Sequence, residues 1–245
     1  MRLTLAAMVD AIRANDIDEL RARLEAEPAL AHAAGDHDKT LLHWAAEMDR
    51  VEAASLLVDV GADPEAVTSW GATPFDWAAV MGSAGVADLL LARGATGLSL
   101  ISAAALGRLS YVRDLVVRGG DLSSHRRRGA PAAATHEWPA DTAHIRGDVL
   151  SDALHAAARN GHTAVVAYLA SHGGNIDATA FFGATGLHWA ASNGHRDTVV
   201  WMIEHGASLD RRDARFSATA EDWAREGGHE EVAELLVRAR RPDKM

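Results

Sequence analysis

"TLLHWAA" occupies residues 40–46, and the same shape returns as "TPFDWAA" at 73–79, as "TGLHWAA" at 185–191 and, more worn, as "TAEDWAR" at 219–225. A threonine opens each heptad, a tryptophan sits four places on, and small residues follow it. Recurrence of this kind outranks any single motif, because a chain of repeated units buries its core by stacking them. Two further landmarks frame the heptads. A turn position follows the first helix of each unit at Asn15, Asp49, Gly82, Gly107, Gly161, Gly194 and Gly228. A second landmark lies 12 residues later every time, at Glu27, Gly61, Gly94, Gly119, Gly173, Gly206 and Arg240. Between the two run short stretches such as "VEAASLLVDV", "YVRDLVVR" and "EEVAELLVRA", whose apolar residues recur at helical spacing. Each unit therefore reads as helix, turn, helix.

Local chemistry agrees with that reading. Thr40, Thr73, Thr185 and Thr219 can cap a helix with their hydroxyls, Pro74 fits a first helical turn, and the alanine pairs let neighbouring helices approach closely. Gly61, Gly94, Gly119 and Gly206 stand where a helix ends in a left-handed residue. The T-P-L-H-x-A-A shape, the "GH" after the first helix, the terminal glycines and a period near 33 together resemble the ankyrin repeat family over nearly the whole chain. The resemblance implies an all-α solenoid, a single ankyrin-repeat domain over 1–245 built of about seven helix–turn–helix units with β-hairpin fingers between them. Residues 1–35 lack the Thr-Pro start and read as an N-terminal capping repeat, and 217–245 read as the C-terminal one.

The turn landmarks are separated by 34, 33, 25, 54, 33 and 34 residues, so two intervals are abnormal. The short one implies that the finger before the fourth unit is reduced to the tight connection "GATGLSL". The long one implies a finger enlarged by an insertion over 121–150, "DLSSHRRRGAPAAATHEWPADTAHIRGDVL". Long loops in compact domains are uncommon, and they are either functional or tolerated at a loop tip. Trp138 before Pro139 and the helix-compatible "ADTAHIRGDVLSDAL" predict an ordered segment that buries itself against the rest of the protein.

Trp44, Trp77, Trp189 and Trp223 share one position on the first helix, which lines the concave side in the family this chain resembles. Taken alone, such tryptophans are explained by packing between repeats. The finger tips, however, add Trp70, Phe182 and Phe216, each just before the Gly or Ser of its turn, with His37 at the matching place in the second unit. In a chain with 5% aromatic residues, this makes a stripe of the kind that anchors interfaces, with Trp138 of the insertion as a further candidate.

Most of the 13 histidines have repeat positions. His43, His155 and His188 fall at the family's T-P-L-H histidine, whose ring bonds backbone in the neighbouring turn; Asp76 and Asp222 replace it in two units. His162, His195 and His229 follow the turn glycine. His125, His136 and His144 obey no repeat rule, and His136, Glu137 and His144 are the candidates for acid–base chemistry in a pocket closed by the insertion. Their spacing matches no metal motif, so no metal ligand is assigned.

Composition bounds what remains. A formal charge of −10 disfavours a broad nucleic-acid surface and suits a basic partner, Arg126–Arg127–Arg128 being the one dense basic run. No apolar run approaches the roughly 18 residues of a membrane span. Zero cysteines and an opening with Asp10 inside its apolar stretch agree with the cytoplasm. Motifs for nucleotide, zinc-protease and serine-hydrolase chemistry are absent, and no cofactor is implied. Two functions stay open: a protein-binding module that uses its concave face and finger tips, or a small-molecule-binding protein or enzyme whose pocket lies between the aromatic stripe and 121–150.

Overall fold

The computed structural model describes residues 2–69, 71–118 and 149–240, and there the stretches of helical spacing are helices. Among these residues are seven helix pairs: α1 (Arg2–Ala14) with α2 (Ile17–Ala26), α3 (Leu41–Glu47) with α4 (Val51–Asp59), α5 (Pro74–Met81) with α6 (Ala84–Ala92), α7 (Leu100–Ala105) with α8 (Leu109–Arg118), α9 (Val149–Arg159) with α10 (Thr163–Ser171), α11 (Gly186–Ser192) with α12 (Arg196–Glu204), and α13 (Ala220–Glu226) with α14 (Glu230–Arg240). The insertion lies outside the described residues up to position 148; its last two residues open α9.

All seven turn positions read from the sequence adopt the left-handed conformation, with φ of 58° at Asn15, 50° at Asp49, 75° at Gly82, 70° at Gly107, 77° at Gly161, 70° at Gly194 and 77° at Gly228. The need for glycine is strongest at Gly161. A Cβ there would also stand 2.6 Å from Nδ1 of His195, which belongs to the next repeat. Gly107 meets His162 and Gly194 meets His229 in the same way. The "GH" pair therefore works across repeats: the histidine of one covers the glycine of the one before, and Nε2 of His162 lies 3.0 Å from the Ala105 carbonyl.

Five of the first helices, α3, α5, α7, α11 and α13, start on a reciprocal cap. Thr73 N–H donates to Asp76 Oδ2 at 3.0 Å, and Asp76 N–H donates to Thr73 Oγ1 at 3.2 Å. Thr219 and Asp222 repeat the arrangement, and Ser99 and Ser102 supply it in the fourth repeat. Where histidine replaces the carboxylate, Thr40 N–H donates to His43 Nδ1 at 3.2 Å, so Nδ1 must be an acceptor and the ring proton sits on Nε2. That proton is donated to the Ala72 carbonyl at 3.0 Å. Burial of the ring, partly opposed by this bond, lowers the His43 pKa to about 4.

The fingers are tighter than the hairpins the sequence predicts. Gly35 N–H donates to Lys39 O, Thr68 N–H to Ala72 O, Ala180 N–H to Ala184 O and Asp213 N–H to Ala218 O, at 2.9–3.0 Å. Closure over so few residues leaves no length for a ladder, and among the described residues strand pairing is confined to the isolated bridges Ala34–Thr40 and Thr179–Thr185. Neighbouring fingers still bond each other: Ser69 N–H donates to His37 O at 2.8 Å, and Ala214 N–H to Phe182 O at 2.7 Å. His37 and Phe182 reach that geometry at φ of 60° and 63°. Between α6 and α7 the chain runs directly through 93–99.

This short connection is also where the chain divides into two compact units, the N-terminal one ending at Leu98 and the C-terminal one starting at Ser99. In the N-terminal unit α1, α3 and α5 form one layer and α2, α4 and α6 the other, around fully buried Leu41, Leu42, Leu57, Phe75 and Leu90. In the C-terminal unit α7, α9, α11 and α13 stack against each other over α8, α10, α12 and α14, with Leu100, Leu154, Leu169 and Leu187 inside.

Candidate interaction surfaces

In the N-terminal unit Trp44 and Trp77 gather around a cation. Lys39 is only 9% exposed, and its ammonium lies 3.3 Å from the centroid of the Trp44 ring and 4.8 Å from that of Trp77. It pairs with Glu47, which also accepts the Trp77 indole N–H at 3.0 Å. Burial lowers the Lys39 pKa, against the hydrogen bond and charge of Glu47, which raise it. Trp77 is 8% exposed and crosses the His43 ring edge-on at 5.9 Å. It belongs to the packing between repeats. Trp44 is half-buried and lines, with Leu5 and Val9 of α1 and Gly35 of the first finger, a cleft of about 520 Å³.

The C-terminal unit turns the same residue type outward. Trp189 and Trp223, both half-buried, meet edge-on at 5.0 Å. The finger tips extend the cluster: Phe182 lies 6.3 Å from Trp189 and 6.2 Å from Phe216, and Phe216 is 62% exposed. Arginines cover these rings. The Arg159 guanidinium carbon is 4.1 Å from the Trp189 centroid, and that of Arg215 is 4.8 Å from Phe182 and 5.2 Å from Phe216.

Asp213 fixes the last finger. Its Oδ1 accepts from Arg215 N–H and Phe216 N–H at 2.8 and 2.6 Å, and its Oδ2 accepts from Ala218 N–H and the Trp223 indole at 3.0 Å. Burial acts to raise the Asp213 pKa, but these four donors outweigh it and hold the carboxyl below its ordinary value. Trp77 and Trp223 thus each give their N–H to a carboxylate, whereas Trp189 Nε1 is buried and has no hydrogen-bond partner.

Of the residues singled out in the sequence, Phe182, Trp189, Phe216 and Trp223 come together in one cluster; Trp44 and Trp77 belong to the other. Trp70, Trp138, His136, Glu137 and His144 lie outside the described residues. Among the described residues no group of His, Cys, Asp and Glu could hold a metal ion, and no helix is long and apolar enough to cross a membrane. Sequence reading missed Lys39, Glu47, Arg159, Asp213 and Arg215. Two carried a signal. Lys39 precedes its threonine where Ala72, Ala184 and Ala218 precede theirs, and Arg159 occupies in its repeat the place Glu47 holds in its own.

The repeat frame, the caps and the inter-repeat histidines define a stacked-repeat protein, and the chain matches the family described as "Ankyrin repeats (3 copies)" over residues 8–99, 100–213 and 154–245. It belongs to the ankyrin-repeat family. It is also similar to the E3 ubiquitin-protein ligase XB3 of Oryza sativa subsp. japonica, with 32% identity over 185 residues. The match covers 72% of this chain and 40% of the length of that protein.

Proposed function

We infer from its ankyrin repeats that this chain is a protein-interaction module, built on the extended surfaces that stacked repeats create. We propose that this chain binds a cytoplasmic protein partner through the aromatic cluster of its C-terminal unit, with Phe216 as the leading contact. The observation that carries the proposal is an exposed phenylalanine at a finger tip, backed by Phe182, Trp189 and Trp223. A large apolar side chain held in water on a rigid finger contributes little to folding and much to a desolvated interface. The Lys39 cluster is satisfied within the chain and supports a structural role. Ligase activity belongs to the rice protein and is not part of the proposal.

Selection from a phage-displayed random peptide library tests it. The wild-type chain should enrich a sequence family that Phe216→Ala no longer retains. Peptides held equally by both proteins would place the binding surface elsewhere.

A further inference from the structure

The partner's chemistry can be read from what surrounds the cluster, granted that the cluster binds a partner at all. The chain is acidic as a whole, but the last finger is not: "RRDAR" at 211–215 sets Arg211, Arg212 and Arg215 against one aspartate. That aspartate is buried and its oxygens are taken by four N–H donors, so it does not face an incoming ligand. None of these three arginines makes an ion pair among the described residues. Arg212 donates to the Ser217 carbonyl, and Arg215 rests on Phe182 and Phe216. On α13, Asp222 is engaged by the Thr219 cap and Glu221 by Arg225 and Arg240, leaving Glu226, one turn beyond Trp223.

We infer that this surface recognises an acidic segment of a protein partner carrying an apolar residue among Asp and Glu. The Arg215 guanidinium, stacked on two rings, presents its N–H edges for two-pronged bonds to carboxylates. The exposed Phe216 supplies the apolar contact. A basic partner, which the net charge of −10 suits in general, would meet positive charge here.

The test is fluorescence anisotropy with three labelled ten-residue peptides: one of Asp and Glu around a Phe and a Leu, the same peptide with Lys for every acid, and the acidic peptide with Ser for the two apolar residues. The first should bind, more weakly as salt rises, and the other two at least tenfold more weakly. Arg215→Glu and Phe216→Ala should each weaken binding of the first peptide about tenfold or more. Arg21→Glu, on an exposed face of α2, should leave it unchanged. Binding of the lysine peptide that depends on Phe216 would overturn the charge assignment while leaving the binding surface in place. Acidic-peptide binding indifferent to Arg215 would overturn it as well. If no peptide's binding depends on Phe216, the inference and the surface fail together.

Discussion

Trp77 and Trp189 hold the same place in their repeats, yet one is buried core and the other is half-buried beside the finger-tip aromatics. The residue facing each from the preceding repeat differs. Trp77 faces Glu47, which takes its N–H and neutralises Lys39, so the indole is locked and buried. Trp189 faces Arg159, which can accept nothing, so the N–H stays unpartnered and a cation covers the ring. The same repeated letter therefore meets a carboxylate in one repeat and a guanidinium in another. A motif repeated in sequence is not a function repeated in space.

The largest expected effect separates two glycines of similar backbone geometry. Gly161→Ala forces a methyl against His195 at 2.6 Å in addition to a left-handed backbone, and should destabilise the C-terminal unit by about 3 kcal/mol. Gly61→Ala, with nothing within 4 Å, should cost the N-terminal unit only about 1 kcal/mol. Urea unfolding of both variants measures this, and equal losses would mean that the histidine does not hold the glycine in place.

Glu47→Ala strands a buried ammonium and an indole N–H, an expected loss of roughly 3 kcal/mol. The double change Lys39→Ala with Glu47→Ala should recover much of it, since alanine is what the other described fingers carry before their threonine. No recovery would show that Glu47 acts through something other than Lys39. At the matching place, Arg159→Ala should cost about 1 kcal/mol or less, the scale of a cation–π contact. If the Arg159 change proves the more damaging, the contrast between the two tryptophans is wrong.

Acid should weaken both units for one reason. The His43 pKa is lowered to about 4 by burial, and that of His188 is lowered from the same cause. Unfolded histidine titrates near 6.5, so the folded chain binds fewer protons between the two values. Stability is then fully present above about pH 6.5 and is lost as pH falls toward 4, by roughly 3 kcal/mol from His43 alone. Unfolding curves at pH 7 and pH 5 should differ, and His43→Asp, which copies Asp76 and Asp222, should flatten that dependence.

What the sequence made legible was whatever depends on local chemistry at a fixed period. Threonine caps, left-handed turns and the pairing of helices are set within a few residues, and all seven turn positions are where the letters put them. The tightness of the fingers was not legible, because a closure such as Thr68 to Ala72 leaves too little chain for a strand and no propensity encodes that. Nor were the two clusters. The partner of Trp77 is 30 residues back, and whether an aromatic ring is locked or left open depends on register between repeats. The mixed charge of the last finger was visible as "RRDAR", but only the bonds to Asp213 show which of those charges faces outward.

Phe216→Ala puts the central claim to its most direct test, with melting temperature and retention of library-selected peptides measured on the same preparation. The account predicts a melting temperature within about 1 °C of wild type, because a side chain 62% exposed contributes little to folding, together with loss of the selected peptides. A melting temperature several degrees lower with peptide retention unchanged would contradict it, and would make the C-terminal aromatic cluster a piece of core like the one around Trp77.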